Sequence, residues 1–172
     1  VNKGDYSTFY LLSGTEPYFI DKFEFFITDK LINDQNREFD YSVFYGKDVE
    51  IAQIIESAKR FPMISSYNLV IVREAQNIKH SHDVLSNYVL NPQKNTILIF
   101  CYKHKSFDKR SKLYKAANKN GVVYESRELY DSEIKKWLGF EIKNSKLNID
   151  HNSIEILHNS IGTVSYTHLR AH

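Results

Sequence analysis

At 172 residues, 42% hydrophobic and 26% charged, the chain has the make-up of one globular domain, or one domain plus the start of a second, and no apolar run approaches the ~20 residues of a membrane span. A net charge of +2 implies no nucleic-acid partner by itself; the imbalance is local, because residues 103–119 hold six lysines and one arginine against one aspartate, net +6, which leaves the rest at −4. The single cysteine, Cys101, excludes a disulfide framework and a cysteine-based zinc site, makes a reducing cytoplasm the natural compartment, and is preceded by no apolar signal region at the N-terminus.

In chain order, residues 9–12 (Phe-Tyr-Leu-Leu) read as a first strand ended by Gly14. Thr15 can cap the following helix, and Pro17 sits in its first turn, where a missing N–H costs nothing. Phe19, Ile20, Phe23, Phe26, Ile27 and Leu31 recur at helical spacing and predict its buried face. Residues 41–45 predict a second strand. Ile51, Ile54, Ile55 and Ala58 mark an amphipathic helix. Then comes an unusual segment, Phe61-Pro62-Met63-Ile64, apolar yet unable to continue the helix, since Pro62 lacks an N–H and pushes Phe61 out of the α region. Ser65, Ser66 and Asn68 read as a turn. Residues 69–72 (Leu-Val-Ile-Val), three of them β-branched, suit a strand buried on both faces. An apolar loop leading into such a strand is either tucked under the domain or offered to a partner.

Ser81 can cap a short helix burying Val84, Leu85, Tyr88 and Val89, which Asn91-Pro92 stops. Residues 96–102 predict another strand. The basic segment follows as a helix with Leu113, Ala116 and Ala117 inside, closed by Asn120-Gly121, and residues 122–124 form a fifth strand. Strands alternating with helices predict a doubly wound parallel α/β sheet over residues 1–130. From residue 131 the pattern turns helical, with Ile134, Trp137 and Leu138 on one helix and Ile154, Ile156, Leu157 and Ile161 on a second. Residues 131–163 therefore read as the start of a small helical domain.

A phosphate cradle after the first strand needs G-x-x-x-x-G-K-[ST]. Counted from Gly14, the second glycine is replaced by Phe19 and the lysine by Ile20, which rules out phosphate binding of that kind. Glu74, just past the central strand, stands where an ATPase places its metal-side acid; without the lysine it reads as a strand-end surface carboxylate. His80 and His82 are two residues apart, the wrong geometry for one helix face, and His168 and His172 lie in the C-terminal tail, so no metal site is expected. No serine or cysteine nucleophile has a recognisable base around it. The basic segment is either a solvated helix face or an electrostatic surface toward phosphates or an acidic neighbour.

The succession Ala58-x-x-Phe61-Pro62-Met63-Ile64, a polar turn, then Leu69-Val70-Ile71-Val72-Arg73-Glu74-Ala75 resembles the delta subunit of bacterial DNA polymerase III, a component of the clamp loader. Support comes from Leu11-Leu12-x-Gly14-x-Glu16-Pro17-Tyr18-x-Ile20, from Phe107-Asp108-Lys109-Arg110-x-Lys112-Leu113 and from Glu133-Ile134-Lys135-Lys136-Trp137-Leu138, in matching order over roughly residues 9 to 163. The resemblance implies an ATPase-like (AAA+-type) domain without a P-loop and without a cofactor, contributing no catalysis of its own to the polymerase holoenzyme. Its implied partners are the sliding clamp (beta subunit), the other clamp-loader subunits and, through the assembled complex, DNA, in the bacterial cytoplasm and with no membrane. Met63 and Ile64 match the two apolar residues that plug a hydrophobic pocket on the clamp in this family, with Phe61 and Pro62 shaping the loop; Ile64 replaces a frequent aromatic. Past Gly162 the family pattern gives way, so residues 164–172 are expected to be a non-native tail on a chain about half the family length. The alternatives from other classes are a nucleotide-dependent ATPase or kinase on the same sheet, against which the missing lysine stands, and a flavodoxin-like signalling domain, which would want an acidic cluster at the strand ends where only Glu74 is in place.

Overall fold

The computed structural model describes residues 6–79 and 82–130, together with 133, 134, 136, 137 and 140. In chain order the elements are β1 (Phe9–Gly14), α1 (Pro17–Leu31), α2 (Arg37–Asp40), β2 (Tyr41–Tyr45), α3 (Ile51–Lys59), β3 (Asn68–Arg73), a 3₁₀ turn (Ala75–Asn77), α4 (Asp83–Leu90), β4 (Thr96–Lys103), α5 (Lys112–Asn120) and β5 (Val122–Ser126). All the strand pairings are parallel and the sheet order is β2-β3-β4-β1-β5. Leu11 lies opposite Phe100 on one side and Val123 on the other; Ile71 lies between Val43 and Ile99.

Side-chain alternation sends successive strand residues to opposite faces. Phe9, Leu11, Val70, Val72, Leu98 and Phe100 pack with Ile51, Ile54, Leu85, Tyr88, Val89 and Leu113, from α3, α4 and α5. Tyr10, Leu12, Leu69, Ile71, Ile97, Ile99 and Cys101 pack with Ile20 and Ile27 of α1 and with Ile32. Both faces of the central strands are therefore dry, which is why those strands read as continuous aliphatic runs. This is the doubly wound parallel α/β class expected.

Several local expectations need correcting. Helix α1 is capped by Glu16, whose carboxylate accepts from the Tyr18 N–H at 2.9 Å, not by Thr15. Phe26 is 45% exposed, one position off the stripe through Ile20, Phe23 and Ile27, and the buried place goes to Glu24. Val84 is exposed, whereas Leu85, Tyr88 and Val89 are buried as expected. Only the second half of the basic segment is helical; its first half is the end of β4 and a loop. Asn68 belongs to β3 rather than to the preceding turn.

Two glycines set strand ends by close approach. A Cβ on Gly14 (φ +140°) would lie 1.8 Å from the Ser126 carbonyl oxygen, and one on Gly46 would lie 2.2 Å from that of Glu74. The chain divides into two compact units, Val1–Arg127 and Glu128–His172. In the second, the N–H groups of Glu133 and Ile134 donate to the Tyr130 carbonyl, the Glu133 carboxylate accepts from the Tyr130 N–H, and Ile134 is buried. The Ser81 cap, His80, nearly all of the predicted helical segment 131–163 and the expected foreign tail 164–172 lie outside the described residues.

Candidate functional site

Between α3 and β3 the chain makes an eight-residue connection. Its ends are firmly tied. The Asn68 side-chain amide donates to the Ser57 carbonyl at 2.8 Å, the Tyr88 hydroxyl donates to the Ala58 carbonyl at 3.0 Å, and the Asn68 N–H donates to Asn95 O at 2.8 Å. The carbonyls at the end of α3 are thus satisfied without extending the helix. Between these anchors the four singled-out residues come together at one surface. Phe61 is 73% exposed, Met63 68% and Ile64 54%, with Pro62 half-buried between them. The loop is not tucked under the domain. Ile64 also forms one wall of an open groove of about 470 Å³, whose other walls include Lys30, Leu31, Asn33, Asn36 and Tyr67.

The apolar tip is held from beneath by a charge. Asp40, the last residue of α2, is fully buried. One carboxylate oxygen accepts from the Met63 N–H at 2.5 Å. The other accepts from the N–H groups of Ile64 and Ser65 at 2.9 and 2.5 Å and lies 2.9 Å from the Ser65 hydroxyl. Three consecutive N–H groups form an anion-binding nest, and its anion is a side chain reached across 23 to 25 residues of sequence. Burial alone would raise the Asp40 pKa, but the bonds from Met63, Ser65 and Ile64 outweigh it and hold the carboxyl below its ordinary value. Met63 and Ile64 therefore sit on a fixed backbone while their side chains face water. Nothing in the local sequence around Asp40 signals this role; only the tertiary pairing reveals it.

At the carboxyl ends of the strands the ATPase-like features are rearranged. The phosphate-cradle position after β1 is closed: Gly14 N–H donates to Lys105 O, Thr15 N–H to Ser126 O, and the Ser126 hydroxyl to Glu16 O at 2.6 Å. Pro17 offers no donor at the start of α1, and the Tyr18 donor is taken by the buried Glu16 carboxylate. Glu74 adopts a left-handed backbone (φ 52°), is partly exposed, and accepts from the Asn77 side-chain amide at 3.2 Å. Beside it lies a cleft of about 350 Å³ whose cations are already matched, Arg73 to Glu24 at 2.5 Å and Lys103 to Asp21. In the basic segment Lys109 pairs with Glu125, Arg110 with Asp108 and Lys112 with Asp83. Four of its seven cations, Lys103 included, are thus engaged by carboxylates of the same domain. Among the described residues no group of three His, Cys, Asp or Glu could hold a metal ion, and no helix is long and apolar enough to cross a membrane.

Comparison with known proteins adds an independent line. The family model described as "DNA polymerase III, delta subunit" matches residues 10–127, which include both sides of the loop and all five strands but the first residue of β1. The chain is 27% identical over 142 residues to the DNA polymerase III subunit delta of Bacillus subtilis (strain 168), an alignment covering 77% of this chain and 41% of that protein. Its fold superposes on the solved Bacillus subtilis DNA clamp loader delta protein with a TM-score of 0.74 and 26% identity, covering 90% of this chain and 48% of the other. The chain thus spans less than half the length of these relatives. With the family model matching well over half of the residues, the chain belongs to the DNA polymerase III delta subunit family.

Proposed function

We propose that this domain is the clamp-contacting part of a clamp-loader delta subunit, and that Met63 and Ile64 enter an apolar pocket on the sliding clamp and help open its ring for loading onto primed DNA. The other loader subunits would be its neighbours in the assembly, and DNA would be met through the assembled complex. The observation that carries this reading is an exposed apolar pair on a rigid backbone, with Phe61 and Pro62 shaping the same tip. A small preorganised anchor of this kind loses little entropy on docking and suits a hot spot. The domain is further proposed to act without hydrolysing nucleotide. That part is supported by Phe19 and Ile20 at the cradle positions and by the Glu16 carboxylate at the α1 N-terminus.

The test is the double variant Met63→Ser/Ile64→Ser, assayed for denaturant midpoint and for affinity to the sliding clamp of the same organism. Exposed side chains contribute little to folding, so stability should fall by less than about 1 kcal/mol. Two anchors worth roughly 2 kcal/mol each predict about a thousandfold weaker clamp binding. Unchanged affinity would end the proposal.

A further inference from the structure

We propose that Asp40 is a positioning residue for the partner contact: its buried carboxylate fixes the backbone from which Met63 and Ile64 project, and so sets the fraction of molecules ready to dock. The inference rests on the reading of this loop as the clamp contact. Its grounds are geometric. The loop tip has almost nothing apolar to hold it down, since Phe61, Met63 and Ile64 all point to water. What holds it is one carboxylate that accepts the successive N–H groups of Met63, Ile64 and Ser65 and approaches the Ser65 hydroxyl. The Ser65 hydroxyl also lies 2.7 Å from the Tyr67 carbonyl, which ties the nest to the chain entering β3. An ionised carboxylate is the one side chain that accepts on both oxygens with no donor of its own. A carboxamide in its place keeps one acceptor and turns an NH₂ group toward backbone donors. The loop would then populate conformations in which the two apolar side chains are misdirected. Apparent affinity falls in proportion to the competent fraction.

The experiment compares five forms of the 172-residue chain: wild type, Asp40→Asn, Met63→Ser/Ile64→Ser, these three changes together, and Ser65→Ala. Affinity for the cognate sliding clamp is measured, together with amide hydrogen exchange resolved by residue. A carboxamide oxygen can still accept from Ile64 and Ser65, but it faces the Met63 N–H with an NH₂ group and takes the charge out of every remaining bond, which predicts clamp binding about tenfold to a hundredfold weaker in Asp40→Asn. Exchange should accelerate at Met63, Ile64 and Ser65 while the β3 amides from Leu69 to Val72 stay protected. Adding Asp40→Asn to the double variant should cost no further affinity, because the residue acts through side chains already gone. The milder Ser65→Ala, which keeps the carboxylate, should weaken binding by roughly threefold to tenfold.

If Asp40→Asn binds within twofold of wild type while the double variant is impaired, the positioning role falls and the clamp-contact reading stands. If neither variant is impaired, both fall. If Asp40→Asn exposes the β3 amides and Ser65→Ala has no effect on binding, Asp40 is a general folding residue and the proposal is overturned. An additive loss in the combined variant overturns it as well.

Discussion

His82 shows how one side chain couples this fold to pH. Its ring stands edge-on to Phe100 at 5.5 Å and tilted against Phe107 at 5.7 Å, and its Nε2 is buried with no hydrogen-bond partner among the described residues. Burial pushes its pKa down; the bond to the Ala75 carbonyl and the charge of Asp83 oppose this without cancelling it. The unfolded chain therefore takes up its proton first, near pH 6.5, and the folded state only at lower pH. Stability is complete above that value and is lost as pH falls through the gap, at up to about 1.4 kcal/mol per pH unit. Urea midpoints measured from pH 7.5 to 5 should decline for the native chain and stay flatter for His82→Phe; parallel declines would show that another group is responsible. Asp40 gives a second window, separate from the first. Its folded pKa is lowered, so its contribution is present above the ordinary carboxylate range and disappears only as pH falls below about 4.

At the level of elements, α1 and β3 are joined by an ion pair in the cleft beside Glu74. Glu24 is buried, and its Oε1 accepts from both Nε and Nη2 of Arg73, which also reaches the Tyr45 hydroxyl. Arg73→Ala leaves an uncompensated buried carboxylate. Because the Arg73 side chain is 36% exposed and water can follow it in, the cost should be about 2–3 kcal/mol, below the range for a fully buried pair. The double change Glu24→Met/Arg73→Met should restore stability to within about 1 kcal/mol of wild type, as chemical denaturation would show. This pair also shows where sequence reasoning stops. The spacing of Ile20, Phe23, Ile27 and Leu31 located α1 and its general face. Hydrophobicity could not tell that Phe26 faces out while Glu24, four residues after Ile20, faces in, because the reason is an arginine 49 residues away. The aliphatic runs of β3 and β4 were legible because both faces of those strands are covered. Pro62 and the apolar residues around it made the loop legible as an anomaly. Its support by Asp40 was not, since a lone aspartate before a strand looks like any polar residue at a helix end.

At the scale of the whole molecule, charge and topology bear on the same end of the sheet. Lys103, Lys109 and Lys112 reach carboxylates on α1, β5 and α4 respectively, so much of the basic stretch that stands out in the sequence is matched within the fold, Lys109 and Lys112 as surface pairs and Lys103 as a largely buried one in the cleft. The turn after β1 is sealed by Ser126 and Lys105, and the first free donor of α1 is occupied by Glu16. Titrating ATP with magnesium into the chain should therefore give no saturable heat and no shift in melting temperature; micromolar binding at a single site would revive the enzyme reading. The Glu16 carboxylate has a consequence for timing. A ligand that arrives and leaves gives a protein two alternating conditions, each lasting as long as the ligand stays. An anion attached to the chain never departs, so this helix end keeps no clock. On the proposed reading of the tip, any rhythm in when Met63 and Ile64 are shown or hidden would then have to come from elsewhere than this helix end.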